Sequence, residues 1–197
     1  LGIEPERLVV AHPGVGPEFV PGGDRASFAG PYVLGVGTLE PRKNLQLALR
    51  AYQCLPAALR EQYPLVIVGM PGWRPEQLAE PLQRALASGQ VRLLGYQSDT
   101  AIAELLAGAR LLLFPSLYEG FGLPVLEAMA SGTPVILSRS SALPEVAGEA
   151  GTYIDPQDEQ TCAEAVQQLI DDQPEWQHRR DTGLLRADEF SWQRCAA

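Results

Sequence analysis

The chain is short of cysteine, histidine and basic residues. Its three cysteines, Cys54, Cys162 and Cys195, are odd in number, far apart and never in a CxxC pair. Only His12 and His178 could add imidazole ligands. A disulfide framework and a structural zinc site are therefore both disfavoured, which points to a reduced, cytoplasmic setting. Lysine and arginine total 15 against 24 aspartates and glutamates, a formal charge of −9. Nucleic acids and anionic membranes need clustered positive charge, so neither is an expected partner. No apolar run approaches the roughly 20 residues of a membrane span. The stretch from Ala109 to Pro115 is strand-sized and broken by Arg110. The opening LGIEPERLVV has neither the basic start nor the apolar middle of a signal peptide. No Walker GxxxxGK[ST] and no DxD pair occurs.

Short apolar runs alternate with amphipathic stretches. The runs are Tyr32–Gly37, Leu65–Gly69, Val91–Leu94, Leu111–Phe114, Pro134–Leu137 and Gly151–Ile154. Several are apolar at successive positions, as in strands of a parallel sheet covered on both faces. Helical spacing joins Leu45, Ala48, Leu49 and Tyr52, and again Cys162, Ala165, Val166, Leu169 and Ile170, with Asp158 placed to cap the second. Ile102, Leu105 and Leu106 mark a helix after Ser98-Asp99. Leu123 to Ser131 reads as another, with Pro124 in its first turn and Gly132 as its stop. The pattern predicts an α/β fold: a Rossmann-like, doubly wound, mainly parallel sheet of about six strands with helices on both faces. Residues 1–30, rich in glycine and proline, read as a leader or linker with one possible strand at Leu8–Ala11. Residues 31–173 read as the α/β domain and 174–197 as a helical tail.

Ligands of such sheets bind beyond the carboxyl ends of the strands. After the first strand, TLEPRKN places Arg42 and Lys43 side by side before a helix, where an anion finds both cations and free N–H groups. A solvated surface is the alternative for both. Gly35-Val36-Gly37 begins like a dinucleotide fingerprint, but Glu40 stands where the third glycine belongs and would repel a pyrophosphate. After the fourth strand, PSLYEGFGLPVLEAMASG is the most informative segment. Gly120, Phe121, Gly122 and Leu123 form a glycine bend at a helix start, a plausible phosphate cradle. Glu119 precedes the bend, and Glu127 lies within the helix among Val125, Leu126, Ala128, Met129 and Ala130. A carboxylate accepts two hydroxyl hydrogen bonds, as a ribose diol or sugar edge requires. A lone glutamate in so apolar a helix is usually paired or functional. Glu145 reads as a helix-turn cap in preference to a ligand contact. His12 and His178 have no serine or cysteine partner in view, so a catalytic triad is unsupported.

GTLEPRKN, LVIVG, LGY, LLFPSLYEGFGLPVLEAMASGTPVI and ALPEVAGEAGTYIDPQD, in this order, resemble the C-terminal half of a retaining glycosyltransferase of family 4, also called group 1, with the GT-B fold. The likeness covers roughly residues 8–195. It implies one half of a GT-B fold, a domain that binds a nucleoside-diphosphate sugar, partnered by an N-terminal acceptor-binding domain missing from this chain. By the same resemblance Lys43 and Arg42 meet the donor diphosphate. Gly120, Phe121, Gly122 and Leu123 meet phosphate and sugar, and Glu119 reaches the transferred sugar. Glu127 holds the ribose, and Gly95, Tyr96 and Gln97 line the base pocket. Thr38 stands where the family often has arginine, leaving Arg42 as the second cation.

The resemblance implies transfer of a hexose with retention to a saccharide or lipid-linked acceptor, as in polysaccharide biosynthesis, without metal or other cofactor. Lys43 and Glu119 are the candidate catalytic residues, and TLEPRKN tilts the donor toward GDP-mannose. The expected location is cytoplasmic, with any hold on the inner membrane coming through the missing domain. The chain alone is expected to bind donor but transfer little. A non-catalytic nucleotide-sugar module and an epimerase-like GT-B protein are the alternatives.

Overall fold

A computed structural model describes residues 4, 7, 9–22, 30–72 and 76–196. Six strands form one sheet: β1 (Val33–Val36), β2 (Leu65–Val68), β3 (Val91–Leu93), β4 (Leu111–Phe114), β5 (Val135–Ser138) and β6 (Gly151–Ile154). Their order is β3-β2-β1-β4-β5-β6, and every neighbouring pair is parallel. The helices are α1 (Leu45–Cys54), α2 (Ala57–Gln62), α3 (Glu76–Ala87), α4 (Asp99–Gly108), α5 (Leu123–Ala130), α6 (Leu143–Ala147), α7 (Glu159–Asp171), α8 (Gln173–Ala187) and α9 (Trp192–Cys195). None of the described helices is long and apolar enough to cross a membrane.

The pleat divides the strand side chains between two cores. Val33, Leu65, Ile67, Leu111, Leu113 and Ile136 face α1, α3 and α7. Leu34, Val66, Val68, Leu112, Phe114, Val135 and Leu137 face α4, α5 and α6. Both faces are covered, which is why β2, β4 and β5 are apolar at successive positions. Strand order reverses between β1 and β4, so the loops after these two strands flank the crevice of a doubly wound sheet.

Local signals set the helix ends. The side chains of Ser98 and Asp158 accept backbone N–H bonds at the starts of α4 and α7. Gly132, with φ 74°, follows α5. The helices α2, α3 and α6 lie outside the segments whose spacing predicts a helix.

The terminal segments join the second core. Phe19, Ala187 and Phe190 are buried in it. The α8 helix crosses α5 at Gly183, where an added Cβ would lie 3.4 Å from Met129 Cγ. Trp176 Nε1 donates to the Arg110 carbonyl at 2.7 Å. The strand expected at Leu8–Ala11 does not form among its described residues. Val9 and Val10 are exposed and pair with no strand, and Leu8 lies outside the described residues.

Candidate functional site

The loops after β1 and β4 are fastened together. Between β1 and α1 the chain makes a short 3-10 turn, Pro41–Lys43, ended by Asn44 in the left-handed region at φ 53°. Asn44 Nδ2 donates to the carbonyls of Pro115 at 3.2 Å and Pro156 at 2.9 Å, tying this turn to the loops after β4 and β6. The Leu117 N–H donates to the Arg42 carbonyl at 2.7 Å.

Four charged side chains meet at this junction. Lys43 Nζ lies 2.6 Å from Glu119 Oε1, and Arg42 Nη1 lies 2.9 Å from Glu119 Oε2. Arg42 Nε pairs with Glu40 Oε1 at 2.7 Å, and the Thr38 hydroxyl donates to the same oxygen at 2.9 Å. Lys43 is the only lysine in the chain. Its stem passes over Gly37, where an added Cβ would stand 3.1 Å from Lys43 Cε. The Glu119 side chain is 9% exposed and that of Lys43 13%, so this pair is largely withdrawn from water. Burial pushes the Glu119 carboxyl up, but the Lys43 hydrogen bond and the charges of Lys43 and Arg42 outweigh it and hold the carboxyl below the usual carboxylate range. Two cations and two carboxylates sum to zero. An incoming anion therefore meets Lys43 and Arg42 already paired with glutamates.

The glycine bend follows Glu119 directly. Gly122 is the N-cap of α5 with φ 107°. An added Cβ there would lie 2.7 Å from Leu143 Cδ2, so both conformation and space require glycine. Gly120 and Leu123 are exposed. The Phe121 ring instead packs inward, 5.9 Å from the centroids of both His12 and Phe190. The Phe121 side chain is partly buried there.

Glu127 stands one turn into α5, half-buried. Burial, then the nearby charges of Asp99 and Glu18, push its carboxyl up to about 7. Among the described residues no hydrogen-bond donor serves it. Asp99 opens α4, directly after the Gly95–Gln97 segment. In that segment Tyr96 is exposed, the Gly95 carbonyl accepts from Gly69 N–H at 2.9 Å, and Gln97 Nε2 donates to the Leu94 carbonyl at 3.0 Å. The candidate residues thus fall into two groups. Lys43, Arg42 and Glu119 touch one another, while Glu127 faces the start of α4. The α5 helix spans the two, with Gly122 at its head. No hydrogen bond or ion pair among the described residues links the groups.

Several contributors carried no sequence signal. Asn44 braces three loops, and the Ser141 hydroxyl accepts the Glu119 N–H at 2.8 Å. Glu40 read only as a break in a glycine fingerprint, yet it pairs Arg42. Glu145 does not cap a helix turn. The N-cap of α6 is Ala142, without a side-chain cap, and the Glu145 carboxylate pairs with His12 Nε2 at 2.9 Å. His12 is in turn held 5.6 Å from the Phe190 ring.

A family model described as Glycosyl transferases group 1 matches residues 28–183. Over 164 residues the chain is 43% identical to the O-antigen chain mannosyltransferase B of Escherichia coli, covering 83% of this chain and 43% of that protein. It is 41% identical over 118 residues to the GDP-mannose-dependent alpha-(1-6)-phosphatidylinositol dimannoside mannosyltransferase of Mycobacterium tuberculosis, covering 59% of this chain and 30% of that protein. The crystal structure of WaaG, a glycosyltransferase involved in lipopolysaccharide biosynthesis, superposes with a TM-score of 0.79 at 23% identity, over 94% of this chain and 53% of WaaG. The chain thus spans less than half the length of the curated relatives named and about half of WaaG, whose likeness speaks for the fold alone. With the family match running from before β1 into α8, and so enclosing both groups of site residues, the chain belongs to the group 1 glycosyl transferases.

Proposed function

We propose that this chain is the donor-binding half of a retaining hexosyltransferase that takes a sugar from a nucleoside diphosphate, GDP-mannose by preference, to a saccharide or lipid-linked acceptor. The observation that carries this reading is the Lys43–Glu119–Arg42 ion cluster beside the Gly122 bend, at the point where the strand order reverses. In it Lys43 and Arg42 receive the charge that develops on the leaving β-phosphate, aided by the free N–H groups at the head of α5. Protein cations do this work, with no metal invoked. Glu119, released by Lys43, accepts hydroxyl protons of the transferred sugar, and Glu127 accepts those of the ribose. Gly95–Gln97 border the base. The mannosyltransferase names of the relatives support mannose as the sugar, and the GDP-mannose dependence of the mycobacterial relative supports guanine as the base. The acceptor site, in this reading, belongs to an adjoining N-terminal domain, so this chain by itself binds donor and transfers little.

Calorimetry with GDP, UDP, GDP-mannose and UDP-glucose tests the reading. GDP and GDP-mannose are expected to bind, and UDP more weakly. Absence of heat with all four at millimolar ligand overturns it.

A further inference from the structure

Positive φ outside glycine carries a local cost that the surrounding structure must hold. Among the described residues Asn44 and Ser141 are the two non-glycine cases, and both adjoin the ion cluster. Asn44 follows Lys43 in the chain. Ser141, with φ 48°, stands in the connection between β5 and α6, and it is exposed, so no core packing demands a serine there. Its hydroxyl accepts the backbone N–H of Glu119 at 2.8 Å. Two neighbours reinforce this contact. The hydroxyls of Ser138 and Ser140 both donate to the Ser116 carbonyl, Ser140 at 2.9 Å, and they lie 3.0 Å from each other. Ser138 at the end of β5, with Ser140 and Ser141 in the connection after it, therefore grip the loop after β4 at Ser116 and at Glu119, the two ends of the segment that delivers Glu119 to Lys43.

We infer that Ser141 is a positioning residue: its hydroxyl fixes the Glu119 backbone so that the carboxylate meets Lys43 and Arg42, and so sets where the donor sugar is held. Only the last clause rests on the proposed function. Ser116 and Ser138 are buried, which anchors one end of the grip in the protein. The other end closes at an exposed residue, where the Ser141 hydroxyl holds the backbone N–H of Glu119 itself, while Arg42 holds the two residues before it through the Leu117 N–H and the Tyr118 carbonyl. Ser141 meets this need with one oxygen: it accepts from Glu119 and keeps its own proton free to donate.

Ser141→Ala and Ser141→Gly both remove the acceptor, but only glycine also relieves the positive φ. The first readout is the Glu119 carboxyl titration, followed by carbon-detected NMR on the ligand-free chain. In the unsubstituted chain the midpoint is expected below the ordinary 4.5. In both variants it should move up toward that value as the carboxylate drifts from Lys43. If Ser141 acted only through backbone shape, Ser141→Gly would keep the original midpoint, and that result overturns the inference. The second readout is calorimetry with GDP-mannose. Both variants should bind about tenfold more weakly, the scale of one lost hydrogen bond in a partly buried site. In a Glu119→Gln background the same substitutions should add nothing further. A shifted midpoint with unchanged GDP-mannose affinity overturns the link to sugar binding. Failure of the unsubstituted chain to bind any nucleotide overturns the proposed function instead, and the titration still decides whether Ser141 positions Glu119.

Discussion

Lys43 and Glu119 are 76 positions apart in sequence, yet Nζ and Oε1 lie 2.6 Å apart at the switch point of the sheet. The pair makes part of the stability of this fold a function of acidity. A carboxyl held below its usual range stabilises the folded state above its unfolded value of about 4.5, and that contribution is lost as pH falls through the lowered folded value. Glu119→Gln should therefore lower stability at pH 7 by about 1–3 kcal/mol, since Lys43 is left largely buried beside a neutral amide. Below that window the two proteins should converge. Thermal unfolding followed by circular dichroism at pH 7 and pH 3 checks this, and equal differences at both values would count against an ionic role.

Glu127 works in the opposite sense. Its carboxyl is pushed up to about 7, so the folded state holds this proton more tightly than the unfolded chain does. Its contribution is destabilising above the unfolded value of about 4.5, grows until about pH 7 and is constant beyond. Glu127→Gln should stabilise the chain by about 1–3 kcal/mol at pH 8 and by little at pH 4. It should also weaken nucleoside binding, because the amide offers one acceptor oxygen where the carboxylate offers two. Denaturant titrations at the two pH values separate this from a simple packing gain, which would be equal at both.

The sheet and its cover were legible because periodicity reports burial. Runs such as Leu65–Val68 are buried at every position, and sequence shows that directly. The short α2 and α6 helices carry too few turns for a spacing to emerge, and α3 contains Pro81. At the site, Arg42, Lys43, Gly122 and Glu119 announced themselves as charge or glycine beside strand ends. That Glu119 pairs with both cations was not legible, because the contact joins two loops through the reversal of strand order. Asn44 and Ser141 were invisible for a related reason: each acts through a backbone group of a distant segment, and one asparagine or serine in a loop has no periodic signature. The raised carboxyl of Glu127 depends on Asp99 and Glu18, which the fold alone brings near it.

Gly122 is where backbone and packing demands coincide. Gly122→Ala would force a side chain into φ 107° and place its Cβ 2.7 Å from Leu143 Cδ2. The expected cost is about 2–4 kcal/mol, from strain and overpacking together. The head of α5 would also turn away from the ion cluster. Equilibrium denaturation gives the first quantity and GDP calorimetry the second. A variant of unchanged stability would show that the bend has slack to absorb the methyl group.

The single lysine gives a direct test of what the ion cluster binds. An amine-reactive acylating reagent has only Lys43 Nζ and the chain's amino terminus as amine targets, so the terminus serves as the control. GDP should protect Lys43, while guanosine should not. Lys43→Ala should weaken GDP binding about tenfold to hundredfold, the range of one charge-assisted contact, with guanosine binding unchanged. Glu119 sharpens the test, because in the ligand-free chain it competes with phosphate for the same ammonium. Glu119→Gln removes that competitor and leaves Lys43 uncompensated, with Arg42 still paired to Glu40, so plain GDP should bind more tightly than to the unsubstituted chain. GDP-mannose should gain nothing, since the carboxylate that holds its sugar is gone. A substitution that strengthens the nucleotide and not the sugar nucleotide separates phosphate contact from sugar contact at one position. Equal tightening of the two ligands would show that Glu119 does not hold the sugar, and no change for either would show that it faces neither phosphate nor sugar.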